Sequence, residues 1–125
     1  MKYTAILFLI LIFLNSSCSD DDDYSPINIE GAYIGTFERN GITSNVEVKF
    51  SEGIFVGESE TEKFPGICEG SFSISNNVVE FINGCVWTAD FDWSLILAES
   101  WEYTLQNNTL ILTKLNGDKY TLTKQ

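Results

Sequence analysis

Residues 67–93 read ICEGSFSISNNVVEFINGCVWTADFDW, and they hold the clearest structural signal in the chain. Two runs in which apolar and polar residues alternate flank the dipeptide Asn76-Asn77. Because asparagine tolerates positive φ angles, this dipeptide can form a two-residue hairpin turn. With such a turn Phe72 faces Phe81, and one side of the hairpin is apolar while the other is mostly polar. The stretch therefore predicts an antiparallel hairpin with one face in the core.

The same register places Cys68 opposite Cys85 in a pair that is not hydrogen-bonded. The Cα atoms of such pairs lie about 4.5 Å apart, which is within the reach of a disulfide. The register is inferred from the turn and the apolar pattern, without use of the cysteines. That it places two cysteines opposite each other therefore supports the register independently. The sequence predicts a Cys68–Cys85 disulfide.

The N-terminus has the composition of an export signal. Lys2 supplies a short positive region, and the sequence AILFLILIFL at residues 5–14 is an apolar core. A ten-residue helix is about 15 Å long, half the thickness of the hydrocarbon core of a bilayer. Residues 1–17 are therefore predicted to be a signal peptide rather than a membrane anchor.

Cys18 directly follows this segment, with Asn15, Ser16 and Ser17 before it. The arrangement resembles the lipobox of bacterial lipoproteins, although Asn15 stands where an aliphatic residue is usual. The resemblance implies cleavage before Cys18, and attachment there of a diacylglyceryl group with acyl chains such as palmitate. A cysteine count of three leaves Cys18 over once the other two pair. An ordinary signal peptide followed by a free cysteine is the alternative.

Residues 18–28 are predicted to be a tether. Four consecutive aspartates, Asp20 to Asp23, repel one another into an extended, solvated segment. An acidic run after a lipidated cysteine also resembles the surface-export signal of Bacteroides-like lipoproteins, which are displayed on the outer leaflet of the outer membrane. The resemblance implies cell-surface display, and an anchor facing the periplasm is the alternative.

Charge and composition exclude several function classes. The formal net charge is −11, and removal of residues 1–17 makes it more negative because Lys2 is lost. Such a charge argues against nucleic acid as a partner. The chain has no histidine, the commonest general base and a frequent zinc ligand. We expect no catalytic residues, no metal site and no cofactor, and hence no enzyme.

From residue 29 to 125 the chain has the pattern of an all-β domain. No segment keeps the apolar spacing of a helix, and turn signals recur about every ten residues. The pattern predicts an antiparallel meander of eight or nine short strands. Such a meander most readily removes its edges by closing into an up-and-down barrel. A β-sandwich is the alternative, because local pairing does not establish closure.

Two loops, residues 51–53 and residues 116–118, are predicted to contain three residues each. The loop at residues 51–53 sets Phe50 opposite Ile54, which makes the apolar face continuous across the two strands that it joins. The last, with Gly117 left-handed, sets Leu112 opposite Leu122 and keeps the inner face apolar.

Four segments of this domain look like the small lipocalin-like domains of Bacteroides-type lipoproteins. They are the Gly-x-Tyr-x-Gly start at residues 31–35, the block at residues 85–93, and the segments 101–103 and 120–124. The block at residues 85–93 is the specific part. The resemblance implies a barrel and is compatible with ligand binding, without naming a ligand. The domain is shorter than true lipocalins and lacks their first-strand tryptophan.

The candidate ligand-binding residues follow Cys85. If residues 86–93 form a strand, Trp87 and Trp93 share one face, while Asp90 and Asp92 point the other way, about 6.6 Å apart. Paired carboxylates beside aromatic rings could suit a calcium ion or a sugar. The alternative is a solvated face of an acidic protein.

Trp101 and Tyr103 are further candidates, because aromatic side chains can line an amphipathic pocket or simply fill a small β core. Two functions remain open on this basis. The first is a membrane-anchored lipoprotein, held by lipid on Cys18, that binds a small apolar or saccharide ligand or a protein partner. The second is a structural or accessory subunit of the envelope, with a fully packed core and no small-molecule ligand.

Overall fold

The structure, a computed structural model, describes residues 28–125 as eight antiparallel strands. Each strand pairs with the next, and the last pairs with the first, so the meander closes into a barrel. The predicted barrel is confirmed, and the sandwich alternative is excluded. The strands are β1 (Gly31–Arg39), β2 (Ile42–Ser51), β3 (Ile54–Ser59), β4 (Glu69–Ser75), β5 (Val78–Asn83), β6 (Glu99–Gln106), β7 (Thr109–Thr113) and β8 (Lys119–Lys124).

The predicted signal peptide at residues 1–17, the lipidation site Cys18 and the tether as far as residue 27 lie outside the described residues. Within residues 28–125 the helical structure is a 3-10 turn at Trp93–Leu95. No helix in this range has the length and apolar character of a membrane span.

Alternation of apolar and polar residues produces the strands. In β2 every second side chain from Ser44 to Phe50 is buried, and the residues between them are exposed. The hairpin of β4 and β5 has the predicted register, with Phe72 opposite Phe81 and the two-residue turn Asn76-Asn77 between the strands. Local turn chemistry and strand periodicity were sufficient to place this hairpin.

The predicted loop between β2 and β3 is wrong by one residue. A two-residue turn of Glu52 and Gly53 sets Phe50 opposite Phe55 rather than Ile54. Both turn residues have positive φ, 52° and 77°, as the turn that matches strand twist requires. This register buries the ring of Phe55 and leaves Ile54 half exposed. Two apolar faces competed in β3, and the face with the aromatic ring is the buried one.

The predicted register between β7 and β8 is wrong by two residues. Leu112 faces Tyr120, and Leu110 faces Leu122, because the turn is centred on Asn116 rather than on Gly117, with Lys114 N donating to the Asp118 carbonyl at 3.0 Å. A shift of two residues keeps every inward side chain inward. The apolar pattern therefore could not distinguish the two registers.

The barrel has two different ends. The connections β2–β3, β4–β5 and β6–β7 are two-residue turns at one end, here called the turn end. The loops 60–68, 84–98 and 114–118 lie at the opposite end, here called the loop end, together with the tight β1–β2 turn. The first described residues also lie at the turn end, since β1 begins there.

Aromatic side chains fill the barrel. Phe50, beside the β2–β3 turn, has its ring centroid 5.6 Å from Tyr33, 5.2 Å from Phe72 and 6.2 Å from Phe81. At the turn end Ile29 is 1% exposed and completes the core. The interior is thus a continuous apolar cluster that extends to the turn end.

The predicted Cys68–Cys85 disulfide is present, with the Cα atoms 6.3 Å apart. This separation exceeds the predicted 4.5 Å because regular pairing of β4 with β5 ends before the cysteines, at Gly70 and Asn83. One further bond, from Gly84 N to the Glu69 carbonyl at 2.8 Å, continues the ladder toward the bridge. The disulfide therefore joins the ends of loops 60–68 and 84–98.

Removal of the disulfide should destabilise the domain without changing its fold. The bridge closes a loop across a sequence separation of 17 residues, for which the chain-entropy model gives about 3 kcal/mol. We expect the Cys68→Ser/Cys85→Ser variant to lose about this much unfolding free energy in urea titrations. Equal stability of the variant and the oxidised wild type would contradict this expectation.

Candidate functional site at the loop end

Residues 86–93 do not form the predicted strand, and this changes the candidate site. Strand β5 ends at Asn83, whose Oδ1 accepts from Cys85 N at 3.2 Å while its Nδ2 donates to the Cys85 carbonyl at 2.7 Å. An asparagine side chain that binds nearby backbone in this way replaces the next ladder bonds. The segment continues as a loop and a 3-10 turn.

Trp87 is half-buried, and one face of its ring is covered. Its ring stacks on Phe91, with centroids 4.9 Å apart and planes 17° apart, and its Nε1 donates to Asn83 Oδ1 at 3.2 Å. Both rings pack against Gly66, where a Cβ atom would lie 3.1 Å from Phe91. Trp87 is thus part of the packing between loops 60–68 and 84–98.

The two loops are also joined through their backbones. Gly66 N donates to the Leu95 carbonyl at 2.8 Å, and Leu97 N donates to the Gly66 carbonyl at 2.9 Å. Leu97 is buried in the core. Backbone bonds, ring packing and the disulfide together fix loop 84–98 over the loop end.

Asp90 and Asp92 do not form the predicted pair of carboxylates on one strand face. Asp92 caps the 3-10 turn, because its Oδ1 accepts from Ser94 N at 3.0 Å and from Ser94 Oγ at 2.6 Å. These bonds lower the pKa of Asp92, and a hydrogen bond from Thr88 lowers the pKa of Asp90. Within residues 28–125 the group of close metal-ligand atoms is Cys68, Glu69 and Cys85, and both of its sulfur atoms are in the disulfide.

Trp101 and Tyr103 lie in the core, 2% and 5% exposed. Trp101 Nε1 donates to the Ala98 carbonyl at 2.9 Å, and its ring lies 5.1 Å from Tyr120. The hydroxyl of Tyr103 donates to the Asn76 carbonyl at 3.2 Å, at the turn end. The structure therefore does not bring these two residues together with Trp87 and Trp93 in one site.

An ion pair at the loop end between the half-buried Arg39 and the buried Asp118 was not predicted. Arg39 Nε donates to Asp118 Oδ1 at 2.8 Å, and its Nη2 donates to Asp118 Oδ2. The same guanidinium donates to Ser94 Oγ and to the Ser94 carbonyl, both at 3.1 Å. Arg39 thus fastens loops 84–98 and 114–118 to the end of β1. The partners are 79 residues apart in sequence, and no local pattern joins them.

The carboxyl of Asp118 is 2% exposed and ionised. Burial alone would raise the pKa of Asp118, but hydrogen bonds from Arg39 and Asn116 outweigh burial and hold the pKa below its ordinary value. Asn116 donates to Asp118 Oδ2 at 3.1 Å and accepts from Asp118 N at 2.9 Å. The carboxylate thereby accepts three hydrogen bonds, one at Oδ1 and two at Oδ2.

Four large apolar side chains remain exposed at the loop end. Trp93 is 57% exposed, and it donates from Nε1 to the Thr88 carbonyl at 3.0 Å. Val86 and Leu115 are fully exposed, and Ile42 is largely exposed. We call these four residues the loop-end patch. Only Trp93 among them was a predicted site residue, since single exposed aliphatic residues carry no recognisable signal in a sequence.

Four depressions on this domain have linings that include exposed strand residues. Two of them, of 530 and 470 Å³, lie across β1–β3, one of 270 Å³ lies over β5–β7, and one of 350 Å³ lies beside Ile29. Of the six predicted ligand-binding residues, only Trp101 lines any of these four. The cluster of buried apolar residues occupies the barrel interior.

Two hydroxyl groups in this core lack a hydrogen-bond partner among residues 28–125. They belong to Tyr33 and Tyr120, which are 1% and 0% exposed. Burial raises the pKa of both hydroxyls, and the charge of Asp118 adds to the effect at Tyr120. Burial of a hydroxyl without a partner costs about 1 to 3 kcal/mol.

Comparison with known proteins identifies no relative of this chain: no family model matches it, and no curated protein or solved structure is detectably similar. The resemblance to lipocalin-like domains of surface lipoproteins therefore stays a prediction. The site has to be interpreted from its own chemistry.

The Arg39–Asp118 pair should give stability that depends on pH. Because the folded-state pKa of Asp118 is lowered, the pair stabilises the fold above the unfolded pKa of about 3.9. That stability is lost as the pH falls through the folded-state pKa. We expect Arg39→Met to cost about 3 to 5 kcal/mol at pH 7, because it leaves a buried charge unpaired.

The matched control for this prediction is Asp118→Asn, which removes the titrating group. Its unfolding free energy in urea should fall less steeply below pH 4 than that of the wild type. Parallel loss of stability in the two proteins would contradict the assignment of a lowered pKa to Asp118.

Removal of a single hydroxyl group tests whether the hydroxyls of Tyr33 and Tyr120 lack a hydrogen-bond partner. We expect Tyr33→Phe and Tyr120→Phe to leave the unfolding free energy unchanged or to raise it by up to about 3 kcal/mol. Tyr103→Phe is the matched control, since it breaks the bond to Asn76 and should cost about 1 kcal/mol. A loss as large as the control's at Tyr33 or Tyr120 would show that the hydroxyl has a partner after all.

Proposed function

We propose that this chain is a lipid-anchored envelope lipoprotein whose packed barrel binds a partner protein through its loop end, without catalysis. The observation that carries the proposal is the separation of two features to opposite ends of the barrel. The chain reaches the barrel at the turn end, with Ile29 in the core and Glu30 Oε1 accepting from Glu52 N at 3.0 Å. The loop-end patch lies at the other end.

This arrangement suits display from a membrane. If lipid is attached at Cys18, residues 18–28 reach at most about 36 to 40 Å when fully extended. They join the barrel at its turn end, so that end faces the bilayer and the loop end points away from it. A partner outside the membrane would meet the loop-end patch first.

The chemistry of the loop-end patch is typical of a protein interface. Tryptophan is enriched among the residues that dominate binding energy in protein–protein contacts, and Trp93 is exposed at the same end of the barrel as three exposed aliphatic side chains. Loop 84–98 is held by the disulfide, by Gly66 and by Arg39. A surface fixed in this way loses little conformational entropy on binding.

The filled interior supports a protein partner over a small apolar ligand inside the barrel. The rings of Phe50, Phe81 and Trp101 occupy the volume in which a lipocalin-like barrel would hold its ligand. A saccharide beside Trp87 is also less favoured, because Phe91 covers one face of that ring. The packed interior and the covered face of Trp87 therefore favour an accessory subunit that binds a protein over a protein that binds a small molecule.

Site-specific photo-crosslinking in cells that produce the full chain tests the binding surface. A photoreactive amino acid at position 86 or 115 should give one discrete adduct with a partner protein, and Trp93→Ala should weaken it. The same probe at positions 76 and 107, at the turn end, is the matched control. Equal adducts from both ends, or none from the loop end, would contradict the proposal.

The anchor is tested separately by Cys18→Ala. This variant should leave the membrane fraction and appear in the soluble fraction after cell lysis, because one lipid site is lost. Retention of Cys18→Ala in the membrane fraction would contradict lipidation at Cys18 and leave the crosslinking result unaffected.

A further inference from the structure

Cys68, Cys85 and Glu69 form a compact cluster at the ends of loops 60–68 and 84–98. The ligand atoms of the three side chains, two sulfurs and a carboxylate oxygen, all lie within 4.8 Å of one another. Both cysteines are half-buried and Glu69 is exposed, so the cluster is open to solvent. The two sulfur atoms are bonded to each other in the disulfide. Reduction of this bond would leave two thiols and a carboxylate side by side.

Backbone contacts hold both cysteines in place independently of the disulfide. Gly57 N donates to the Cys68 carbonyl at 2.8 Å. The side chain of Asn83 binds both backbone groups of Cys85, accepting from the N–H at 3.2 Å and donating to the carbonyl at 2.7 Å. The two thiols of the reduced protein would therefore stay opposite each other, on Cα atoms 6.3 Å apart.

The carboxylate of Glu69 is available as a third ligand. None of the ion pairs within residues 28–125 includes it. The backbone of Glu69 is fixed, because its carbonyl accepts from Gly84 N at 2.8 Å, and Gly84 directly precedes Cys85. The carboxylate thus lies beside both sulfurs without a competing cation in the part of the chain that the structure describes.

The reduced cluster has the donor set and the spacing of a zinc site. Zinc binds thiolate sulfur at about 2.3 Å and carboxylate oxygen at about 2.0 to 2.2 Å, in a tetrahedral arrangement. The ligand atoms of such a site are about 3.5 to 3.8 Å apart, which lies inside the 4.8 Å span of the cluster. Thiolates also select against Mg²⁺ and Ca²⁺, because those ions prefer oxygen ligands.

We propose that the reduced protein binds one Zn²⁺ through the thiolates of Cys68 and Cys85 and the carboxylate of Glu69. A dithiol reductant transfers two electrons and two protons to the sulfur atoms, which breaks the S–S bond, and the reductant becomes a disulfide. Binding of Zn²⁺ then displaces the two thiol protons, and water completes the tetrahedron. The metal thereby replaces the disulfide as the link between loops 60–68 and 84–98. This proposal does not depend on binding of a partner at the loop-end patch.

Absorption spectroscopy with Co²⁺ as the probe tests the proposal on the full chain in non-ionic detergent. After reduction and anaerobic removal of the reductant, Co²⁺ should give thiolate-to-cobalt charge transfer and the visible bands of a tetrahedral site. Zn²⁺ should displace Co²⁺ and abolish both. The oxidised protein is the control and should show neither. Absence of charge transfer in the reduced protein, or its presence in the oxidised protein, would overturn the proposal.

Two carboxylate variants separate this site from general attraction of cations to an acidic protein. Glu69→Gln should weaken Co²⁺ binding by the reduced chain at least tenfold, because one of three protein ligands is lost. Glu80→Gln removes the same charge from the same hairpin, opposite Ser73, and should change the affinity less than twofold. Equal effects of the two variants would overturn the proposal.

Three cysteine variants identify the thiols. Cys68→Ser and Cys85→Ser should each abolish the charge-transfer band, while Cys18→Ala should leave it unchanged. Each variant is compared with the reduced wild type, so the disulfide is absent from every sample and its loss cannot account for a difference. An undiminished band in either serine variant, or loss of the band in Cys18→Ala, would overturn the proposal.

Thermal unfolding provides a readout that is independent of the spectrum. A metal that binds the folded state raises the melting temperature. Excess Zn²⁺ should therefore raise the melting temperature of the reduced protein and leave that of the oxidised protein unchanged. An equal rise in the two forms would show that Zn²⁺ binds away from the thiols and would overturn the proposal.

Discussion

The pairing of β1 with β8 is the constraint on which the rest of the domain depends. Six residue pairs join the first strand to the last and convert an open meander into a barrel. Gly35 is required there, since a Cβ atom would overlap the Thr121 carbonyl and lie 2.8 Å from the Cα of Leu122. Beside it the ring of Phe37 lies 4.9 Å from Tyr120. Without this pairing the inner face would have two exposed edges, and the core could not be enclosed.

Closure also determines where binding can occur. Because buried apolar side chains occupy the interior, we propose that binding takes place on the outer surface. The loops at one end are fixed by the Cys68–Cys85 disulfide and by the Arg39–Asp118 pair, whose partners are 79 residues apart in sequence. The surface at the loop end is placed by the barrel and does not contribute to its core.

The parts predictable from the sequence were those set by neighbouring residues. Asn76-Asn77 fixed one hairpin and, through it, the pairing of the cysteines. The errors arose where a choice depended on distant packing. Phe55 is buried where the prediction buried Ile54, and Leu112 pairs with Tyr120 rather than with Leu122. The segment after Cys85 alternates like a strand, but it lies over the loop end, where no neighbouring strand is available to pair with it.

The central claim is that the barrel is closed and solid, so that its contacts are made by outer surfaces. Proton–proton nuclear Overhauser effects between β1 and β8 in the folded protein test it most directly. We expect cross-peaks between the backbones of Gly35 and Leu122, and between the rings of Phe37 and Tyr120, as strong as those within the β4–β5 hairpin. Strong hairpin cross-peaks without any between β1 and β8 would show an open sheet and contradict the account.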